Sequence, residues 1–349
     1  MIPSQATLAL FDGPGSPFRL ATVDLRHPGP GELLVEVSLA TICGSDLHTV
    51  DGRRSCPTPC VLGHEGVGRI VAAGSGRPEF QPGRRITWTL ADSCGCCRPC
   101  IDWALPQKCE HLFKYGHAPA DSVSDLNGCF ATHILLRPGT TVVPLPDSVS
   151  DAAAVPANCA LATLFAATEA VPHSGNTALI QGAGLLGLYG CSILRSRGWK
   201  RVLVSDPNPS RRARVVDFGG EPVSPEELHG LSASVVDAVL EVAGRAEVIG
   251  EGIRLLRPGG HYSWIGMVHP ETALDITGES VVRKCLTVHG THNYGPRHLR
   301  QAVEYLSTHT GPVPLESLVS PAFPLSRLDE AFACARSGTW PRVAVSPGS

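Results

Sequence analysis

Residues 31–39 (Gly-Glu-Leu-Leu-Val-Glu-Val-Ser-Leu) set apolar against polar positions in the two-residue rhythm of a half-buried strand. Gly and Pro recur through the first part of the chain about every ten positions, a spacing that suits strands and turns and predicts a β-rich, loop-rich first domain. Near Ala160 the texture changes. Thr177–Gln181, Arg201–Ser205, residues 235–241 and residues 260–265 are short apolar runs separated by amphipathic stretches, the pattern of a parallel sheet covered on both faces. Helices are expected over 188–194 and 298–306, and a last strand over 342–345. The fold class is α/β, a β-rich domain plus a doubly wound one, with no internal repeat or low-complexity tract. At 349 residues the chain is long enough for two separate cores.

Composition narrows the function. A formal net charge of −3 leaves no basic footprint for nucleic acid. The chain holds no run of 18 uncharged apolar residues, so no membrane span is expected. Met1 to Leu10 lacks the basic start and apolar core of a secretion signal, which predicts a cytoplasmic protein. Thirteen cysteines are many for a reducing compartment, and an odd number argues against a complete disulfide framework; metal binding accounts for them better.

Three motifs carry the chemistry. Gly182, Gly184 and Gly187 form Gly-x-Gly-x-x-Gly between an expected strand and an expected helix, where a pyrophosphate can approach the backbone and meet the amides of Leu185, Leu186 and Gly187. Asp206 ends the next strand, where its carboxylate suits ribose hydroxyls and repels a 2′-phosphate, favouring NAD over NADP; nearby Arg211 and Arg212 weaken that preference. Cys94, Cys97, Cys100 and Cys109 are spaced to close a tetrahedron of thiolates around a structural zinc, with Cys96 as a bystander. A catalytic zinc needs three protein ligands and one open position; Cys43, His64 and Cys159 in combination would supply the three, though each alone is more often buried filler.

In this order along the chain, the series resembles the zinc-containing medium-chain alcohol dehydrogenases: Cys-Gly-Ser-Asp-Leu-His from Cys43, Gly63-His64-Glu65-Gly66, the four-cysteine lobe, Cys159 to Thr163, Gly182-Ala-Gly-Leu-Leu-Gly187, Asp206, Arg257-Pro-Gly-Gly260 and Arg342. The likeness runs along essentially the whole chain. It implies a GroES-like catalytic domain over residues 1–158, completed by 294–349, around a Rossmann domain over 159–293. It also implies a homodimer or homotetramer. Carried over by position, Glu65 is an alternate zinc ligand or a group behind the ligands, Ser45 and His48 form a proton relay, and Thr163 lies near the nicotinamide. Arg211 joins Asp206 at the adenosine ribose, Ile265 and Met267 hold the carboxamide through backbone groups, and Arg342 meets the pyrophosphate. The gap from Cys100 to Cys109 is one residue longer than the family's usual spacing.

The expected chemistry is oxidation of an alcohol, or reduction of its carbonyl, with two zinc ions per chain and NAD. Family pocket positions fall here on Arg54, with Arg53 beside it, on Lys114 and on Thr291-His292-Asn293. Cationic groups there favour a small substrate bearing a phosphonate, phosphate or carboxylate. The segments around Arg54 and Lys114 are also similar to dehydrogenases associated with phosphonate metabolism. A polyol, sugar or aminocyclitol alcohol is the alternative, although Cys159 stands where the polyol and threonine dehydrogenase branches usually offer Glu. A zinc-stabilised scaffold without catalysis is the rival from another class.

Overall fold

The computed structural model describes residues 3–120, 126–268, 272–309 and 313–348. The chain divides into two compact units: Met1–Cys159 with Gly295–Thr310 and Leu315–Ser349, and Ala160–Tyr294 with Gly311–Pro314.

In the first unit the central strand is Leu33–Ile42. It pairs antiparallel with Glu65–Ala73 on one side, and with His133–Leu136 and Val343–Ser346 on the other. With neighbours along both edges and cover on both faces, its alternation is partly lost: Leu33, Leu34 and Val35 are all fully buried, where the sequence rhythm predicts one solvated face. Each such side chain taken out of water contributes about 1.5–3 kcal/mol. The late strand Val343–Ser346 lies within the sheet, between Leu33–Ile42 and Phe323–Pro324. Trp88, Tyr115, Phe130 and Phe332 fill the core beneath, the rings of Phe130 and Phe332 meeting edge-on at 5.8 Å.

The second unit is a six-stranded parallel sheet in the order Glu221–Val223, Arg201–Ser205, Thr177–Gln181, Val236–Glu241, Leu256–Trp264, Thr287–Gly290. Strand order reverses between Thr177–Gln181 and Val236–Glu241, the place where doubly wound sheets open a crevice at their carboxyl ends. The expected strand over 260–265 begins earlier, at Leu256, and carries an irregularity opposite Val236 and Ala238, where Pro258-Gly259-Gly260 interrupts regular pairing. The helix Glu247–Leu255 ends under Lys284, whose ammonium donates to the carbonyls of Ile253, Arg254 and Leu256 at 2.7–2.8 Å and so satisfies groups that a helix end leaves open. Among the described residues no helix is long and apolar enough to cross a membrane.

Candidate metal centre and nucleotide loop

Cys94, Cys97, Cys100 and Cys109 place their sulfurs within 4.8 Å of one another, the short helix Arg98–Ile101 turning the chain between them. The Sγ–Sγ distances are 3.4 Å for Cys97–Cys100, 3.7 Å for Cys97–Cys109 and 3.4 Å for Cys94–Cys109. Zinc–sulfur bonds of about 2.3 Å at tetrahedral angles set sulfurs about 3.8 Å apart, so the group fits the ion. Backbone N–H groups of Cys94 and His111 donate to Cys109 Sγ, and that of Cys96 to Cys94 Sγ. Donation from Cys96, then Cys97, pulls the Cys94 thiol down to about 6. The Cys96 thiol stands outside the group, as its spacing implies.

The second cluster is assembled by the sheet. Cys43 follows the central strand and opens the helix Gly44–Val50; pairing of Thr41 with Glu65 then brings His64 and Glu65 alongside. Cys159 sits in the widened π-turn Ala157–Leu161, a deviation common at functional sites. Its neighbour Asn158 ties that turn to the sheet, the side-chain amide donating to the carbonyls of His64 and Trp88 at 3.0 Å each. Donor atoms of Cys43, His64, Glu65 and Cys159 thereby lie within 4.8 Å of one another.

Asp46, fully buried, orients the set. Its Oδ2 accepts the Cys43 N–H at 2.8 Å and its Oδ1 lies 3.4 Å from His64 Nδ1. That leaves His64 Nε2 facing Ser45 Oγ at 3.5 Å, the arrangement in which a carboxylate fixes an imidazole for a metal. Burial opposes a charged His64, but Asp46 and Cys43 outweigh it and push the ring up to about 10. A hydrogen bond with Cys159, aided by Arg342 and His64, holds the Cys43 thiol well below the usual thiol range. Two sulfurs, an imidazole and carboxylates around a single guanidinium form an electron-rich pocket that fits a dication of zinc's ligand preference.

Both oxygens of Glu65 are engaged by Arg342, Nε to Oε2 at 2.8 Å and Nη2 to Oε1 at 3.0 Å, while Thr41 Oγ1 adds a bond of 2.6 Å to Oε2. Arg342 Nη2 also lies 3.6 Å from Cys43 Sγ, and Nη1 donates to the carbonyl of Pro341. Four of its five N–H groups are thus committed inside the first unit. Ser45 and His48 stand one turn apart on the helix Gly44–Val50, with the His48 carbonyl accepting from the Arg54 N–H.

In the second unit the glycine loop has the form the motif predicts. Gly182 has φ +112°, a conformation L side chains rarely adopt, and a Cβ on Gly187 would lie 1.9 Å from the Gly182 carbonyl oxygen. A Cβ on Gly184 would meet nothing, so that face of the loop is open to a ligand at the start of the helix Leu185–Ser196. Asp206, at 5% exposure, accepts the N–H of Ala183 on Oδ2 and of Asn208 on Oδ1, pinning the loop to the next strand; Arg211 reaches within 3.9 Å of it. Arg212 is tied to the carbonyls of Asp206 and Pro207. Ile265 and Met267 flank Gly266, whose N–H is held at 3.0 Å by Glu241; the other oxygen of this buried carboxylate takes the N–H of Gly244. Thr163 lies half-buried on the helix Ala162–Ala167.

Of the residues expected to meet substrate, Arg54 and Lys114 fall in the first unit and His292 in the second, exposed after the strand Thr287–Gly290. Lys114 sits on the short strand Phe113–Lys114 paired with Ala91–Asp92. Its burial, and then Arg54, lower its pKa, opposed by Cys159, Cys43 and Asp46. Neither the ammonium of Lys114 nor the guanidinium of Arg54 has a hydrogen-bond or ion-pair partner among the described residues. His117 joins them unforeseen. Its ring centroid is 5.3 Å from that of His64, both its nitrogens lack hydrogen-bond partners among the described residues, and burial reinforced by His64, Arg54 and Lys114 holds it neutral. No spacing rule marks His117 in the sequence.

Comparison with known proteins agrees with this geometry. Residues 29–147 match the family described as alcohol dehydrogenase GroES-like domain, and residues 154–339 the one described as glucose dehydrogenase C-terminus. The chain is 29% identical to L-threonine 3-dehydrogenase of Thermococcus kodakarensis over 94% of each chain, and 27% identical to sorbitol dehydrogenase of Halalkalibacterium halodurans over 92% of this chain and 93% of that one. An alcohol dehydrogenase of Thermotoga maritima superposes with a TM-score of 0.91 at 29% identity, covering 98% of this chain and 99% of its own. A zinc-binding dehydrogenase of Sinorhizobium meliloti, solved with NADP bound, superposes with a TM-score of 0.88 at 25% identity, covering 99% and 100%. Threonine and sorbitol dehydrogenases thus stand among the relatives, although Cys159 occupies the position at which the resemblance leads one to expect Glu in those branches.

Proposed function

Because the chain belongs to the zinc-type medium-chain alcohol dehydrogenases, an oxidoreductase family with a GroES-like and a Rossmann-like domain, we propose that it oxidises, with NAD, a small hydroxy compound carrying an anionic group. The convergence of Cys43, His64, Glu65 and Cys159 on one pocket carries this reading. Cys43, His64 and Cys159 would hold zinc, with Glu65 behind them, and Cys94, Cys97, Cys100 and Cys109 a second ion. When bound, zinc would supply the Lewis acidity that makes an alcohol proton easier to remove, and a nicotinamide the hydride acceptor. Ser45, whose Oγ lies 3.5 Å from His64 Nε2, would take up that proton, and His48, one turn further along the same helix, would carry it toward solvent. Thr163, Ile265 and Met267 orient the nicotinamide, and Arg342 adds a pyrophosphate contact through its remaining N–H.

The unpaired charges of Arg54 and Lys114, with the neutral ring of His117, support an anionic substrate; L-threonine, on which a relative acts, itself bears a carboxylate near its hydroxyl. His292 is the further candidate from the second unit. The test is a screen of hydroxy acids, phosphorylated alcohols, hydroxyalkyl phosphonates and polyols, repeated with Arg54→Ala. Hydrogen bonds to charged groups contribute about 1.5–3 kcal/mol, so KM for the best anionic substrate should rise at least about tenfold. Better turnover of neutral polyols, with KM indifferent to Arg54→Ala, would support the second reading, a polyol, sugar or aminocyclitol dehydrogenase, to which the similarity to sorbitol dehydrogenase points.

Asp206 supports NAD, since a 2′-phosphate beside that carboxylate costs several kcal/mol. We expect kcat/KM to favour NAD over NADP by at least about a hundredfold, and Asp206→Ser to shrink that ratio at least about tenfold. Equal use of the two cofactors by the parent enzyme would remove Asp206 from the ribose site. A homodimer or homotetramer in the cytoplasm completes the proposal; thirteen unpaired thiols suit a reducing compartment.

A further inference from the structure

The segment after the Ser45 helix brings together two thiols that the zinc chemistry leaves unused. Cys60 opens the strand Cys60–Val61, is paired in register with Phe11 and is fully buried in the core of the first unit. Cys56, four residues earlier and half-buried, places its Sγ 3.5 Å from that of Cys60 and 3.8 Å from the carbonyl oxygen of His117. Neither belongs to a four-donor cluster. A disulfide needs its sulfurs about 2.05 Å apart, so an approach of about 1.5 Å suffices. The Cys56 side chain, in the connecting segment, can supply it, whereas Cys60 is fixed by strand pairing.

We propose that Cys56 and Cys60 are a site of reversible oxidation, closing to an intramolecular disulfide under a hydroperoxide and thereby pulling on the segment that carries Arg54. In the first step the Cys56 thiolate attacks a peroxide oxygen; the O–O bond breaks, leaving a sulfenic acid on Cys56 and releasing water or an alcohol. Cys60 sulfur then attacks Cys56 sulfur, the S–O bond breaks, and the hydroxyl leaves as water with the Cys60 proton. The two thiols lose two electrons, the peroxide gains them, and a dithiol reductant reverses the exchange. The asymmetry of burial assigns the roles, Cys56 being reachable and Cys60 resolving. A hydrogen bond with Cys60, then the charge of Arg54, holds the Cys56 thiol below its ordinary range, in keeping with the attacking role.

Trypsin releases both cysteines on one peptide, residues 55–69. Zinc-replete protein treated with limiting hydrogen peroxide, alkylated and digested without reduction should yield that peptide unalkylated and lighter by two hydrogens, with no zinc released. Cys60→Ala should stop at a sulfenic acid on Cys56 that a 1,3-dione traps, and Cys56→Ser should abolish the reaction. Full alkylation of the peptide while other thiols oxidise, or its oxidation only after zinc loss, overturns the proposal. The coupling to Arg54 rests on the anionic-substrate reading. It predicts a severalfold higher KM for the anionic substrate in oxidised parent protein and none in Cys56→Ser. An unchanged KM in fully oxidised protein overturns the coupling, while indifference of reduced enzyme to Arg54→Ala overturns the substrate reading instead.

Discussion

We expect the parent to hold two zinc ions per chain and His64→Ala to hold one, with a loss of at least about a thousandfold in kcat/KM. The argument starts from separability. The lobe cysteines lie within a single stretch of chain and share no ligand with the second cluster, so removing His64 leaves their thiolates undisturbed. The second cluster loses its only imidazole and exposes Asp46, whose Oδ1 lies 3.4 Å from that ring, to an unpaired state. Without an ion, proton removal from an alcohol has no Lewis acid to assist it. A thousandfold corresponds to about 4 kcal/mol of barrier, modest for a group on which the chemical step depends. Cys43→Ser should give the same pattern. Metal analysis beside steady-state kinetics decides the matter: two ions surviving in both variants, or activity persisting with one, would take His64 and Cys43 out of the catalytic site.

Arg342→Ala should lower the unfolding free energy by about 3–5 kcal/mol, the usual effect of deleting one partner of a buried ion pair. Glu65 has no exposed surface, and the guanidinium supplies two of the three hydrogen bonds its carboxylate receives from side chains. Burial already raises the Glu65 pKa, and Arg342 is the largest influence lowering it. Removing the arginine strands the carboxylate. Neutralising it as well, in Arg342→Ala/Glu65→Gln, should recover most of the loss, because a neutral amide can keep its bond with Thr41. Urea titrations of the zinc-replete proteins measure both. A double variant as unstable as the single would assign the loss to packing around Arg342, not to the stranded charge.

How legible was this in the chain itself? Thr177–Gln181 and Arg201–Ser205 are strands with the predicted bounds, since short apolar runs between helices have few alternatives. The glycine loop and the lobe cysteines are equally local, their geometry being dictated by spacing over a few residues. The second cluster is not local. Its donors are separated by up to 116 positions, from Cys43 to Cys159, and only sheet register and the Asn158 bridge bring them together. Family resemblance stood in for that knowledge. Where resemblance is silent, residues were missed: Asp46 lay inside a quoted motif without a role, Glu241 looked like the polar end of a strand, and His117 had no pattern around it. Besides the phosphate contact the resemblance implies for Arg342, two of its N–H groups bind Glu65, a pairing between residues 277 positions apart that no periodicity encodes.

The placement of Val343–Ser346 inside the first unit's sheet bears on how the protein is made. The second unit is nearly continuous in sequence, and the lobe is complete once Cys109 has been synthesised, so both can organise while the ribosome is still working. Cys43, by contrast, waits beside an open sheet edge until the last strand emerges and delivers Arg342 to Glu65. The lobe can thus take its final form on the nascent chain, whereas the sheet that positions Cys43 beside Glu65 is completed only by the Val343–Ser346 strand.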